Sequence, residues 1–505
     1  MSRTIFYARL GRAKGRSARL GAIAGAICLT SVLVPAYVGR ASARTGVVAL
    51  SGTLTIYASQ YTPAAPTKSN PNPPTYLTTI VKNYQSSHPG VTIKLLPNVT
   101  QTSIAFTQYK ATQFAGGTEP DIIYNNPVDA NNIDVAKGWY LPLDQYLAKP
   151  DPYVKGNKAW ADVLVNGALG NVTNANGHSY NLPLDAVDTA IFYNKAAFAK
   201  AGIAGPPTTF DAWIDDMTKL KKAGYVPYYM NAGAAGEDYV DWHERQLSDM
   251  LYHSLADKLH AIHGGAKGSY QLTSAQVARA VKSGLFSATD ARYGDVLKQL
   301  KQFADYAQPG FAGVPATGTP YALFNSGKLA MFEGTTFDVK PLAQLGIRFP
   351  YSTFQAIPPI TKATSSYATG ATPGKIGIIG AFANYNVTIG TTRDHNLPLA
   401  IDFLRYLSQP ATGGRMITQL GELVPVLKNV PVVESLKVFV PSSARRDALF
   451  PGFVSRLDPQ FASQAYKVLQ TYLLGQTSLQ ETQTQLEQLM QVGAQRVATA
   501  NHFTL

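Results

Sequence analysis

The sequence predicts an α/β protein of two or more domains, built on mostly parallel, doubly wound sheets with helices on their faces. Three observations carry this. The chain has 505 residues, too many for one ordinary core. Over residues 52–125 the patterns run strand, helix, strand, helix, strand. A second alternating set begins near residue 178.

The first 43 residues stand apart from that pattern. Arg3, Arg9, Arg12, Lys14, Arg16 and Arg19 precede the apolar run "LGAIAGAICLTSVLVPAYV" at 20–38, and "ASA" follows at 41–43. This is the layout of a secretory signal peptide cut after Ala43, which places the mature protein in a periplasm or at an extracellular face. Pro35 and the glycines within the run argue against a retained anchor. The single cysteine, Cys28, follows the bulky Ile27 and precedes the better cleavage site, so lipid anchoring there is not expected. The mature chain then has no disulfide and no cysteine metal site.

Beyond the leader, "GTLTIYAS" (52–59) alternates as a strand, and the Pro- and Asn-rich 65–75 is a loop. Residues 76–90 read as a helix ending in Pro-Gly, 91–97 as a strand, 101–115 as a helix, and "DIIYN" (121–125) as a short buried strand. In a doubly wound sheet, ligands sit at the carboxyl ends of the strands, so the loops after Ala58 and Tyr124 point at a site. They carry Gln60 and Tyr61, and Asn125, Asn126 and Asp129. Amides offer a donor and an acceptor together, which suits paired hydroxyls. Asp121 opens its strand and is expected to bond backbone there.

The second set starts with "HSYNLPLDAVDTAIFYNK" (178–195). A helix over 206–224 has Thr208 and Asp211 in capping-box spacing, and 225–232 reads as the next strand, which gives Tyr228 and Tyr229 packing roles. Residues 242–308 are mostly helical, 329–337 hold a strand and a turn, and 374–389 return to strand pattern. The C-terminal third is helical and closes with 477–491, where Ser478 and Glu481 again fit a capping box.

Composition narrows the function. Charged residues are only 15% of the chain against a usual ~25%, with 28 Tyr and 42 Gly in their place, a surface suited to neutral ligands. Of the net charge of +13, seven units lie in residues 1–43, which leaves +6 without a basic run for phosphates. Nucleic-acid binding is therefore not expected. The stretch "GEDYVDWHERQL" (236–247) poses a sharper question, because His-Glu on a helix begins a zinc-protease motif. That motif needs a second His at 247 and finds Leu247, and the eight His are scattered, so neither a metal nor a cofactor is expected. His243 is read as a helix-surface residue. There is no Gly-x-Ser-x-Gly turn, and "GKIGIIG" lacks dinucleotide spacing.

Several blocks together carry a family likeness: "GGTEPDIIYNN" (116–126), "GWYLPLDQYL" (138–147), "YNLPLDAVDTAIFYNKAAFAKAGIAGPPTTFDAW" (180–213), "FNSGKLAMFEGTTF" (324–337) and "AIDFLRYLSQPATGGRM" (400–416). In these blocks the chain resembles the family 1 extracellular solute-binding proteins of ABC importers, the group that includes maltose-binding proteins, over roughly 50–490. The resemblance implies a two-lobe periplasmic-binding-protein-like fold of type II, with a sugar held in the cleft between lobes. It implies a monomer that closes about a hinge and docks on an ABC permease driven by an ATPase, and it implies no enzyme. The expected organisation is a first lobe over 44–185, a second over 186–372, a return to the first over 373–420, and a helical segment over 421–505 completing the second.

Site residues follow by the same likeness. Glu237, Tyr239 and Trp242 match a Glu-x-Tyr-x-x-Trp segment that lines the cleft in maltose-binding-type relatives, where a ring covers a sugar face and a carboxylate accepts hydroxyls. Relatives often carry Trp where this chain has Thr336, and Phe337 is the candidate replacement. Asp185, beside the inter-lobe crossing, either reaches the ligand or braces the hinge. Two alternatives stay open: a binder of another solute, such as a phosphorylated polyol or a polyamine, and a secreted glycan-acting enzyme pairing Glu237 with Asp185.

Overall fold

The computed structural model describes residues 50–66, 73–98, 103–127, 130–174, 176–232, 239–255, 258, 273–314, 319–355, 357–373, 376–440 and 457–500. The chain begins with β1 (Gly52–Tyr57), α1 (Tyr76–Ser87), β2 (Val91–Leu96), α2 (Ser103–Gly116) and β3 (Ile122–Tyr124). β1 runs parallel to both β2 and β3, and α1 buries Leu77, Ile80, Val81 and Tyr84, one stripe at helical spacing. Asp121 holds the start of β3 by accepting from the Thr55 N–H at 2.7 Å and its hydroxyl at 2.7 Å.

β4 (Leu182–Pro183), β5 (Asp185–Val187) and β6 (Thr189–Asn194) follow, then α3 (Phe210–Lys222), β7 (Val226–Tyr228), α4 (Tyr239–Leu251), α5 (Ser274–Lys282) and α6 (Ala291–Asp305). The expected cap of α3 is displaced by one residue. Thr209, not Thr208, caps it, accepting from the Ala212 N–H at 3.2 Å, while Asp211 takes the hydroxyls of Thr361 and Thr364. Further elements are β8 (Leu329–Thr335), β9 (Tyr351–Phe354), β10 (Ile378–Ile379), β11 (Asn384–Val387), α7 (Leu397–Leu407), β12 (Val424–Pro425), α8 (Pro459–Leu473) and α9 (Leu479–Ala500), with shorter helices between them. Ser478 and Glu481 exchange both bonds of a capping box ahead of α9.

Two main sheets result, one per lobe. The first has the order β2-β1-β3-β11-β4, and the second β7-β8-β6-β9. Each sheet anchors its own core: Leu54, Ile56, Ile122, Trp160, Tyr385 and Phe403 in one, Phe192, Trp213, Tyr228, Phe303 and Phe332 in the other. The last helices join the second core through Phe461, Leu469 and Met490.

A third, small sheet links them. β5 pairs antiparallel with β10 and with β12. The chain leaves the first core through β5, returns through β10, and passes over again beyond β12, where Leu427 belongs to the first core and Leu436 to the second. The fit of β5 against β10 depends on glycine. A Cβ on Gly377 would stand 2.3 Å from the Val187 carbonyl oxygen, and Gly380, at φ +79°, would meet the Asn384 Cβ at 2.7 Å. Among the described residues no helix is long and apolar enough to cross a membrane.

Candidate functional site

The carboxyl ends of β1, β3 and β4 come together at this linker sheet. After β1 the chain turns through Ser59, whose φ of +51° is unusual for a side-chain-bearing residue, leaving Gln60 exposed and Tyr61 fully enclosed. The Tyr61 hydroxyl donates to Asp185 Oδ2 at 2.9 Å. The same carboxylate accepts from the Ala383 N–H at 2.9 Å and the Phe382 N–H at 3.2 Å, and burial pushes it up to about 6.

β3 ends beside the same segment, because the half-buried Tyr124 donates its hydroxyl to the Ala381 carbonyl at 2.6 Å. The next residue turns inward. Asn125 Oδ1 accepts from Lys110 Nζ at 2.9 Å, and its Nδ2 donates to Asp134 Oδ2 at 2.7 Å and Tyr140 Oη at 3.0 Å. Lys110 and Asp134 are themselves ion-paired and 2% exposed, so this is a closed polar network. Asn126 is half-buried.

From the second lobe, β8 runs into a tight turn at Thr335–Asp338, where Asp338 accepts from the Thr335 N–H and Thr335 from the Phe337 N–H. Thr336 is fully buried. Phe337 is half-buried and lies 5.2 Å, ring to ring, from the half-buried Phe382 of the return crossing. An aromatic pair thus joins a second-lobe turn to the linker.

α4 holds the motif that first suggested zinc. His243 is wholly buried, which corrects its expected surface position. Its Nε2 lies 2.8 Å from the Tyr228 hydroxyl and 3.6 Å from Glu333 Oε2, and Gln246 Nε2 donates to Glu333 Oε1 at 2.6 Å. The sequence concealed this because His243 and Gln246 meet Tyr228 on β7 and Glu333 on β8 within the lobe, where a polar helix face reads as solvent. Glu244 is also enclosed, accepts from Ser248 Oγ at 3.1 Å, and is pushed up to about 8 by burial. Trp242 is half-buried. Among the described residues there is no group of three or more His, Cys, Asp or Glu able to hold a metal.

Of the expected site residues, Gln60, Asn126 and Phe337 stand on segments that meet at the linker. Tyr61, Asn125 and Asp185 are each 0% exposed, with polar atoms engaged by protein partners; of the two roles open to Asp185, these contacts are those of a brace. Asp129 and Glu237 lie outside the described residues, as do Cys28 and the leader, and Tyr239 is described only as the first backbone position of α4. Tyr124 and Phe382, absent from that expectation, stand on the same segments. The available signal for Phe382 was one ring between two alanines, Ala381 and Ala383, in a glycine-rich strand pattern.

The profile of the bacterial extracellular solute-binding protein family matches residues 68–413, most of the chain. The chain belongs to this family. A solved family 1 extracellular solute-binding protein from Bifidobacterium longum subsp. infantis superposes on this solute-binding protein with a TM-score of 0.60, at 17% identity, covering 87% of this chain and 98% of that one. The cyclic alpha-maltosyl-1,6-maltose binding protein from Arthrobacter globiformis gives 0.58 at 17% identity, over 88% and 100%. These likenesses establish the fold. Among curated sequences, the Multiple sugar-binding protein of Streptococcus mutans serotype c is 26% identical over 168 residues, 33% of this chain and 36% of that protein. A binding protein of Brucella abortus (strain 2308) is 27% identical over 153 residues, 30% of this chain and 34% of its own length. The chain thus spans about a third of the length of the curated relatives it matches.

Proposed function

We propose that this protein binds a neutral sugar or oligosaccharide between its lobes and delivers it, by hinge closure, to an ABC permease powered by an ATPase. The observation that carries the reading is the set of side chains on segments meeting at the linker sheet: Gln60, Tyr124, Asn126, Phe337 and Phe382, all amides and rings. Rings suit the apolar faces of a pyranose and amides its hydroxyl edge. A polyamine calls for acids and a phosphate for basic groups. Sugar-binding relatives add support, the Streptococcus mutans protein among them. The paired-carboxylate enzyme loses support, because Asp185 is enclosed by its own partners.

A ligand that touches both lobes stabilises the closed state through contacts only that state makes. Glu237, Tyr239 and Trp242 remain proposed contacts from the second lobe, and the lobes are proposed to divide near residues 185, 372 and 420. Export with cleavage after Ala43 is part of the same reading, and N-terminal sequencing of secreted protein should then begin at Arg44.

A thermal-shift screen over a panel of neutral sugars tests the class. Titration calorimetry with the best sugar then tests the site: Phe337→Ala and Phe382→Ala should each weaken binding about tenfold, roughly 1.4 kcal/mol. Full affinity in both variants would remove the linker rings from the site.

A further inference from the structure

Asp185 is a buried acid on the first crossing between lobes. Its carboxylate is 0% exposed and forms no ion pair among the described residues. Its partners come from two other segments: the Tyr61 hydroxyl from the loop after β1, and the Phe382 and Ala383 N–H groups from the return crossing. Its own carbonyl accepts from the Gly380 N–H at 2.6 Å, and its Cα pairs with Pro425 of the third crossing. All three links between the lobes therefore meet at one residue.

We propose that Asp185 is a positioning residue that couples hinge geometry to proton uptake, through a carboxylate held jointly by both crossings and by Tyr61. This rests on the reading of the protein as a hinged binder. The chemistry follows from the donors. Backbone N–H groups cannot reverse, whereas the Tyr61 hydroxyl can turn from donor to acceptor when the acid gains a proton. The proton therefore has one defined place, on the oxygen facing Tyr61. Burial raises the acid from its ordinary 3.8 to about 6, so this enclosed geometry binds a proton more tightly than a hydrated Asp does. By linkage, acid favours the enclosed hinge, and rising pH through about 6 favours any hinge arrangement that brings Asp185 to water.

The titratable neighbours are Tyr61, Tyr385 on β11, Tyr124 beyond it, and Glu422 across Tyr61. Burial holds Tyr61 and Tyr385 well above their ordinary value, so both stay neutral through the window. Glu422 lies 3.2 Å from Lys340 and is 29% exposed.

The test needs no sugar. Spin labels at Lys82→Cys on α1 and Lys222→Cys on α3, both exposed, in a chain carrying Cys28→Ser, report the inter-lobe distance. The distribution should sharpen on one distance at about pH 4 and shift by about pH 7, the change and its midpoint falling between the ordinary 3.8 and about 6. Asp185→Asn should hold the acid distribution at both pH values. Tyr61→Phe removes a donor to the carboxylate and should move the midpoint upward, whereas Glu422→Gln should leave it in place. Superposable wild-type distributions at the two pH values, or a shift that survives Asp185→Asn, overturn the proposal. So does an unmoved midpoint in Tyr61→Phe, which keeps the test open if Asp185→Asn does not fold. Sugar binding and hinge coupling are read separately, so either can fail alone.

Discussion

Buried charge in this protein is handled in two different ways, and each has a measurable consequence. Lys110 and Asp134 neutralise one another inside the first lobe, with Asn125 and Tyr140 completing the network. Lys110→Met leaves Asp134 enclosed with Lys137 at 3.6 Å as its remaining cation, and should cost about 3 kcal/mol in a denaturant titration. Adding Asp134→Asn should recover part of that loss, since the orphaned charge is then gone. Glu244 has no such partner and is pushed from 4.5 to about 8, so it stays protonated at neutral pH. Its folded value is raised, so its contribution to stability is complete below about 4.5 and is lost as pH rises through about 8. Melting temperature should fall between about pH 5 and 8 and level off above that, and Glu244→Gln should flatten that fall, a difference on the order of 5 kcal/mol by pH 9. A fall that persists in the variant assigns it to another group.

At the scale of elements, the linker sheet is tightly constrained. β5 and β10 approach so closely that only hydrogen fits at Gly377. Gly377→Ala must push Val187 and its neighbours aside, which should lower stability by about 1–3 kcal/mol. Because the strain falls on the crossing, small-angle scattering of the ligand-free variant should also differ from wild type. Unchanged scattering with lowered stability would mean the linker absorbs the methyl without moving the lobes. Much of this element level was legible in the sequence. The strand, helix and strand run of the first lobe appeared at nearly the expected boundaries, because its apolar periods are clean. The cap of α3 slipped by one residue because adjacent threonines, Thr208 and Thr209, offer the same chemistry. His243 was misread because helix periodicity reports polarity, and a polar face can be buried when its partners lie on another element.

At the scale of the whole molecule, the two cores share few covalent links, so their separation is set by the linker and by whatever lies between them. Saturation with a sugar that scores in the thermal-shift screen should reduce the radius of gyration. Binding proven by calorimetry with unchanged scattering would argue against hinge closure.

The sequence by itself determined the two-lobe α/β class, the leader-like first 43 residues, and the family, because periodicity, composition and motif order are properties of the chain alone. It also located the loops that converge, since strand ends are local features. Only the tertiary structure decided which side chains in those loops face inward. Asn125 and Asn126 are neighbours of the same type, yet one closes a buried ion-pair network and the other is half-buried. The difference lies in Lys110 and Asp134, brought from α2 and from the helical turn Ala130–Asp134, which local pattern cannot place together. Sequence alone does not decide between ligand and hinge for Asp185 for the same reason: its partners, Tyr61 and Ala383, are 124 and 198 residues away in sequence, and only folding brings them within hydrogen-bond reach.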